Sequence, residues 1–215
     1  DEVWCLGDLV GYGPSPNECI ERIQELPHLC LAGNHDWATL GRLDLETFNT
    51  DARIANNWTR SQLTSQGQEY LSGLPTSRQR EGFFMAHASP REPVWEYILE
   101  SHVACDNFTH FDAQVCLVGH THVPIIFALD EDDHSCDVLP PPDEPFQLGE
   151  RRLIVNPGSV GQPRDGDPRA SYALLDTERM TWEYRRVPYA IEIVQERMRA
   201  RVLPRRLIER LLVGR

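Results

Sequence analysis

With 215 residues and 40% hydrophobic content, the chain is long enough to bury one sizeable core, and we read it as a single domain over residues 1–215. A formal charge of -12 argues against a nucleic-acid binder that neutralises phosphates with a basic face. No run of 18 apolar residues is present to cross a membrane as a helix.

The charge is uneven. All 21 basic residues are Arg, and residues 197–215 hold seven of them against one Glu, so that segment is +6 and the remainder near -18. Such a run reads as a solvated helical face, with a docking surface for an acidic partner as the sharper alternative. The six cysteines (5, 19, 30, 105, 116 and 136) form no C-x-x-C pair. They read as reduced thiols used as small hydrophobes, which points to a cytoplasmic protein.

In chain order, residues 3–6 form a short apolar strand ended by Gly7-Asp8, and Gly11-Tyr12-Gly13-Pro14 is turn chemistry. Ser15-Pro16 resembles an N-cap with Pro at the first helical position, and Glu18 stands three after Ser15, as a capping box requires. The helix should run to about Leu26, where Pro27 stops it. Residues 29–32 make a second strand, broken by Gly33-Asn34-His35-Asp36; strand, helix and strand in this order suggest a parallel unit. Residues 51–74 read as two helices, the first marked by Ala52, Ala55, Trp58 and Leu63 and the second by Tyr70, Leu71 and Leu74.

A third strand over residues 83–86 runs into His87-Ala88-Ser89-Pro90, and an aromatic loop follows with Trp95 and Tyr97. These two rings suit stacking on a base or another ring, although packing in the core is the commoner fate of aromatics. A helix near 99–110 precedes the apolar run Val115-Cys116-Leu117-Val118, which breaks at Gly119 and delivers His120-Thr121-His122. In extended backbone, side chains at i and i+2 share a face, so His120 and His122 should aim at one point. Residues 125–129 are another strand, and the acidic, proline-rich residues 130–149 read as a mobile hairpin tip or loop. Residues 153–155 form a strand ending at Asn156-Pro157-Gly158-Ser159. Strands at 172–175 and 181–186 and helices at 190–201 and 204–213 complete the chain.

Four apolar strands thus end in polar clusters of one kind: Asp8, then Asn34-His35-Asp36, then His87, then His120 and His122. Each taken alone has a bland explanation, as a strand-ending Asp, a turn Asn or a structural His. Open α/β sheets place their sites at the carboxyl ends of strands, and five nitrogen and oxygen donors on one rim point to a metal centre. A donor set without sulfur suits Mn, Fe, Zn or Ni.

Gly7-Asp8, Gly33-Asn34-His35-Asp36, His87 and Gly119-His120-Thr121-His122, in that order, resemble the calcineurin-like metallophosphoesterase superfamily. Gly11-Tyr12-Gly13-Pro14, His87-Ala88-Ser89-Pro90 and Asn156-Pro157-Gly158-Ser159 are similar to its small bacterial and archaeal phosphodiesterase branch. The resemblance implies an α/β fold, a β-sandwich of two mixed sheets flanked by helices in four αββα layers. It also implies two divalent metal ions. Asp8 would bridge both, Asn34, His87 and His120 would hold one, and His122 would contribute to the other. The family's opening Asp-x-His motif does not occur here; the chain begins at Asp1 inside a strand and reads as a domain lacking its first strand and helix.

The reaction that the resemblance implies is hydrolysis of a small phosphate ester, a diester foremost, by a hydroxide bridging the metals. His35, beside Asn34, would give the leaving alkoxide its proton, with Asp36 fixing its tautomer. Arg164 and Arg91, in loops after the site strands, would bind phosphate oxygens; a surface ion pair of Arg164 with Asp165 or Asp167 is the plainer alternative. A second reading is a non-catalytic scaffold, since the retromer subunit of the superfamily keeps the fold for protein contacts; a third is an inactive fragment of a phosphoesterase.

Overall fold

Residues 1–132 and 135–215 are described by the structure, a computed structural model. They divide into two compact units, Asp1–Thr76 with Ala190–Val213, and Ser77–Tyr189 with Gly214–Arg215. Among the described residues no helix is long and apolar enough to cross a membrane.

In the first unit, β1 (Val3–Cys5), α1 (Pro16–Gln24) and β2 (His28–Cys30) form the expected strand–helix–strand, and the strands pair in parallel with Cys5 opposite Cys30. The capping box does not form: Ser15 makes no side-chain cap bond, and Pro at the first helical position presets the start instead. The helix ends at Gln24, two residues short of Leu26. Where the sequence suggested only a break, α2 (Asn34–Thr39) begins directly at Asn34. Gly33 stands at its N-cap, and Asp36 Oδ2 accepts from the Gly33 N–H at 2.8 Å. The two helices read over residues 51–74 are α3 (Thr50–Gln62) and α4 (Ser65–Ser72), capped by Asn49 and Thr64 side chains. The inward face of α3 differs from the expected stripe. Ala52 and Ala55 are buried on it together with Asn56 and Thr59, while Trp58 is half-buried.

The second unit is built on a six-stranded sheet of order β3-β4-β5-β9-β6-β7. Its centre is three mutually parallel strands, β4 (Phe83–Ala86), β5 (Val115–Leu117) and β9 (Leu153–Asn156). Their continuous apolar runs suit strands covered on both faces. The edge strand β3 (Ser77–Arg80), sequence Ser-Arg-Gln-Arg, escapes any search for apolar runs and is fixed by antiparallel pairing with β4. Between β4 and β5, α5 (Ser101–Asn107) continues into a short 3-10 turn.

β6 (Ile125–Leu129) pairs antiparallel with β9 and with β7 (Cys136–Leu139). The stretch read as a loop over residues 130–149 therefore contains the strands β7 and β8 (Phe146–Gln147), β7 being fixed by its pairing with β6; its residues 133 and 134 lie outside the described residues. β10 (Ala170–Asp176) and β11 (Thr181–Val187) form a second, antiparallel sheet with β8. The Tyr184 hydroxyl donates to the carbonyls of Asn156 (2.9 Å) and Ile125 (3.3 Å). The chain closes with α6 (Ile191–Ala200) and α7 (Arg205–Glu209), which belong to the first unit with Ala55 and Met198 in their core.

One cysteine expectation is overturned. Cys105 on α5 and Cys136 on β7 are bonded as a disulfide with Cα atoms 5.7 Å apart, and Cys5, Cys19, Cys30 and Cys116 remain outside any disulfide. Spacing in sequence could not show this, because the pair is 31 residues apart and is brought together by α5 packing on the β6–β7 hairpin.

Candidate functional site

The donors of the first unit sit where β1 and β2 end. Gly7 and Asp8 both have positive φ (94° and 53°), so the chain leaves β1 through two left-handed residues in succession. Asp8 Oδ1 accepts from the His35 backbone N–H at 2.8 Å. Gly33 is the residue that allows this approach, since a Cβ there would fall within van der Waals contact of Asp8 Oδ1 and of the Asp8 backbone nitrogen. Asp36 uses both carboxylate oxygens on the backbone, accepting from Val10 N–H at 3.1 Å and from Gly33 N–H.

His35 is buried, with its ring between Tyr12 (centroids 4.2 Å apart) and Phe48 (5.4 Å). The partner of its Nδ1 is Asn56 Oδ1 at 2.9 Å, on α3. An amide oxygen only accepts, so Nδ1 carries a proton and Nε2 is the nitrogen left to exchange one. The orienting task read for Asp36 therefore falls to Asn56, because the Asp36 oxygens are turned to the Val10 and Gly33 amides. Sequence gave no sign of Asn56 beyond a polar residue on a helix whose neighbours Ala52, Ala55 and Thr59 are buried. Gly11, at φ +140°, lies against the same ring; a Cβ there would come within 2.8 Å of His35.

In the second unit three parallel strands deliver polar residues to one sheet edge: β4 leads to His87, β5 to His120 and β9 to Asn156. His87 Nε2 and His120 Nδ1 face each other at 3.2 Å, both buried. His120 and His122 are not in extended backbone, however. Both have positive φ (60° and 62°), and the Thr121 N–H donates back to the Gly119 carbonyl at 2.6 Å, closing a three-residue turn on His120 of the rare, strained kind. The alternation expected of a strand does not reach these residues, because β5 ends at Leu117.

Named bonds hold this turn. Gly119 N–H donates to the His87 carbonyl (2.8 Å), and Asn156 Nδ2 donates to the Gly119 carbonyl (2.6 Å) and the Thr121 hydroxyl (3.0 Å), while Asn156 Oδ1 accepts from Gly158 N–H (2.8 Å). Replacing Asn156 by Ala is expected to destabilise the chain by about 1–3 kcal/mol, because a buried carbonyl and an amide lose their partners. Urea unfolding measures that cost, and a variant as stable as the parent would remove Asn156 from this role.

His122 Nδ1 donates to the Gln162 carbonyl at 2.7 Å, which fixes the tautomer and leaves its Nε2 as the lone-pair nitrogen. The Arg164 backbone N–H returns to the His122 carbonyl (3.1 Å), and its guanidinium donates to Gln162 Oε1 at 2.8 Å. Since a guanidinium cannot accept, the amide orientation of Gln162 is determined, and its buried Nε2 has no hydrogen-bond partner among the described residues. Nothing in the sequence singled out Gln162. The ion pairs suggested for Arg164 are taken by other residues: Asp165 pairs with Arg186 and Asp167 with Arg169, which holds the Asp167 carboxyl down at about 2.

Arg91 is placed against carboxylates, bonding Glu96 and reaching Asp106 at 3.4 Å. Burial alone would raise the Glu96 carboxyl, but hydrogen bonds from Arg91, Asn107 and Ser89 more than offset it and hold it below the ordinary carboxylate value. Trp95 and Tyr97 are not core residues: they are 39% and 47% exposed, with ring centroids 6.5 and 4.0 Å from that of His120.

The donor set is carboxylate, amide oxygen and imidazole. Of the six non-glycine residues with positive φ among the described residues, three are Asp8, His120 and His122. Within the second unit, two buried imidazole nitrogens facing one another, on His87 and His120, suit a divalent cation.

Residues 1–180 match a family model described as a calcineurin-like phosphoesterase superfamily domain. The chain belongs to the calcineurin-like phosphoesterase superfamily. Along its full length it is 36% identical to an uncharacterized protein of Methanocaldococcus jannaschii, covering 87% of that protein. Among solved structures it is similar to a metallophosphoesterase from Sphaerobacter thermophilus, at 45% identity with a TM-score of 0.91, over 100% of this chain and 89% of that one. A hypothetical protein from Pyrococcus horikoshii OT3 shares the fold at 22% identity and a TM-score of 0.78, over 100% and 85% of the two chains. The α/β class of metallophosphoesterase type, with its large mixed sheet, is thus as the sequence motifs implied. For a member of the calcineurin-like phosphoesterase superfamily the general activity is metal-dependent hydrolysis of phosphoesters.

Proposed function

We propose that this chain hydrolyses small phosphate esters, diesters foremost, using Asp8, Asn34, His87, His120 and His122 as ligands of two divalent ions drawn from Mn, Fe, Zn and Ni, and His35 as proton donor. The observation that carries this reading is the left-handed backbone of Asp8, His120 and His122, each stabilised by hydrogen bonds or close packing from another segment. Strain of that kind, of order 1–3 kcal/mol per residue, persists where the surroundings over-determine it and function uses it.

When bound, two divalent ions activate water for in-line attack at phosphorus and neutralise charge on the phosphate oxygens. The chain's own residues do the rest. His35, with its Nδ1–H committed to Asn56 and its ring clamped by Tyr12 and Phe48, gives the departing alkoxide the Nε2 proton of its imidazolium form and is left as the neutral Nδ1–H imidazole. Arg164, tethered to the loop that orients His122, supplies N–H donors to phosphate oxygens, and the Gln162 amide adds another. Arg91, engaged by Glu96, is assigned to holding its own loop.

Chelation is the direct test. Protein stripped of metal should lose hydrolysis of bis-p-nitrophenyl phosphate and regain it on adding Mn. Failure of each of the four metals to restore turnover would overturn the enzymatic reading, and metal bound without turnover would move it to a scaffold of the same fold.

A further inference from the structure

The mechanism above leaves unused an aromatic pair that stands in solvent. Trp95 and Tyr97 bracket a loop position beside His120, and the Tyr97 ring is tilted 34° to that imidazole at 4.0 Å. Large rings gain most when buried, so two of them half in water beside a candidate site mark a surface completed by a ligand. The loop that carries them is preset. Glu92 N–H donates to Ser89 Oγ (2.9 Å), Ala88 N–H to the Pro93 carbonyl (2.8 Å), and Trp95 N–H to the Glu92 carbonyl (3.3 Å). Asn107, fully buried, accepts from Arg91 N–H (2.9 Å) and donates to Glu96 Oε2 (2.8 Å), which lies between the two aromatic residues in sequence. The loop backbone that carries the rings is therefore held in place before any ligand arrives, and binding does not have to order it.

We propose that Trp95 and Tyr97 form a stacking ledge for the planar ring of a nucleotide whose phosphate is handled at His120, so that the substrates of this chain are esters of single nucleosides. This rests on the phosphoesterase reading and adds to it the group the enzyme selects. Stacking on an aromatic side chain tolerates every base, since each has a π-face, so the ledge selects for a base without choosing which. A net charge of -12 works against a long polyanion, which favours one nucleotide over a polymer.

The test is equilibrium binding of AMP, ribose 5-phosphate and adenosine to the intact chain, measured by calorimetry with Mn present and again after chelation. AMP and ribose 5-phosphate share the phosphate and the sugar, so their ratio isolates the base. We expect AMP to bind about 5- to 100-fold more tightly than ribose 5-phosphate. In Trp95→Ala and Tyr97→Ala that ratio should fall towards one, while Trp95→Phe and Tyr97→Phe keep most of it. Equal affinity of the parent for the two ligands overturns the proposal, as does a preference that survives in the double alanine variant. If alanine at either position prevents folding, the parent ratio together with Trp95→Leu decides by the same criterion. Failure of the phosphoesterase reading looks different: no turnover with any metal, while AMP is still preferred over ribose 5-phosphate.

Discussion

Gly33→Ala is expected to remove metal binding and activity together while leaving most of the chain folded. The new methyl group falls on Asp8, on both its carboxylate oxygen and its backbone nitrogen, and neither is the far end of a flexible side chain. Asp8 is already left-handed and anchored to the His35 amide, so it can yield only by leaving that position. Overpacking of this kind costs about 1–3 kcal/mol, and disturbing the shell around a ligand typically lowers metal affinity by about 10–100-fold. Metal content after dialysis and thermal unfolding read the two effects separately, with a midpoint shift of about 2–4 °C per kcal/mol for a chain of this size. Gly13→Ala is the control: a Cβ there meets nothing within 4 Å, and the change should stay within about 0.5 kcal/mol. A Gly33→Ala protein with parental metal content would show that Asp8 is not a ligand.

The second large effect belongs to His35. If its Nε2 gives up the proton, His35→Ala should lower kcat by about 10²–10⁴ for a diester with an alkyl leaving group. The loss should be far smaller for p-nitrophenolate, which leaves without a proton. Metal content should not change. Asn56→Ala should reproduce a smaller part of the same pattern, because it frees the tautomer while keeping the imidazole. Equal losses for both leaving groups would assign His35 to binding, and full activity would remove it from the chemistry.

What could be read in the sequence follows from where the physics is local. The central strands announced themselves because burial on both faces demands continuous apolar runs, as in Val115-Cys116-Leu117 and Leu153-Ile154-Val155, and the polar residues that end them are visible for the same reason. The edge strand Ser77–Arg80 was hidden because its pairing with β4, not its composition, makes it a strand. The helix at Asn34 was missed because six residues are too few to show a period. His120 and His122 stand out in the sequence for a partly mistaken reason. Their spacing in an extended chain suggested convergence, whereas the backbone there is left-handed and the rings are directed by His87, Gln162 and Asn156. Asn56, Gln162 and the disulfide partner of Cys105 act through contacts distant along the chain, and no local pattern encodes those.

The turn that carries the two histidines is locked by a residue 37 positions further on, since Asn156 holds the Gly119 carbonyl only after β9 has docked beside β5. A growing polypeptide released before that strand is made lacks both Asn156 bonds to this turn and keeps the Gly119–His87 bond and the turn's own. The geometry around His120 is therefore completed only after Asn156 has been made, well after the histidines themselves have emerged.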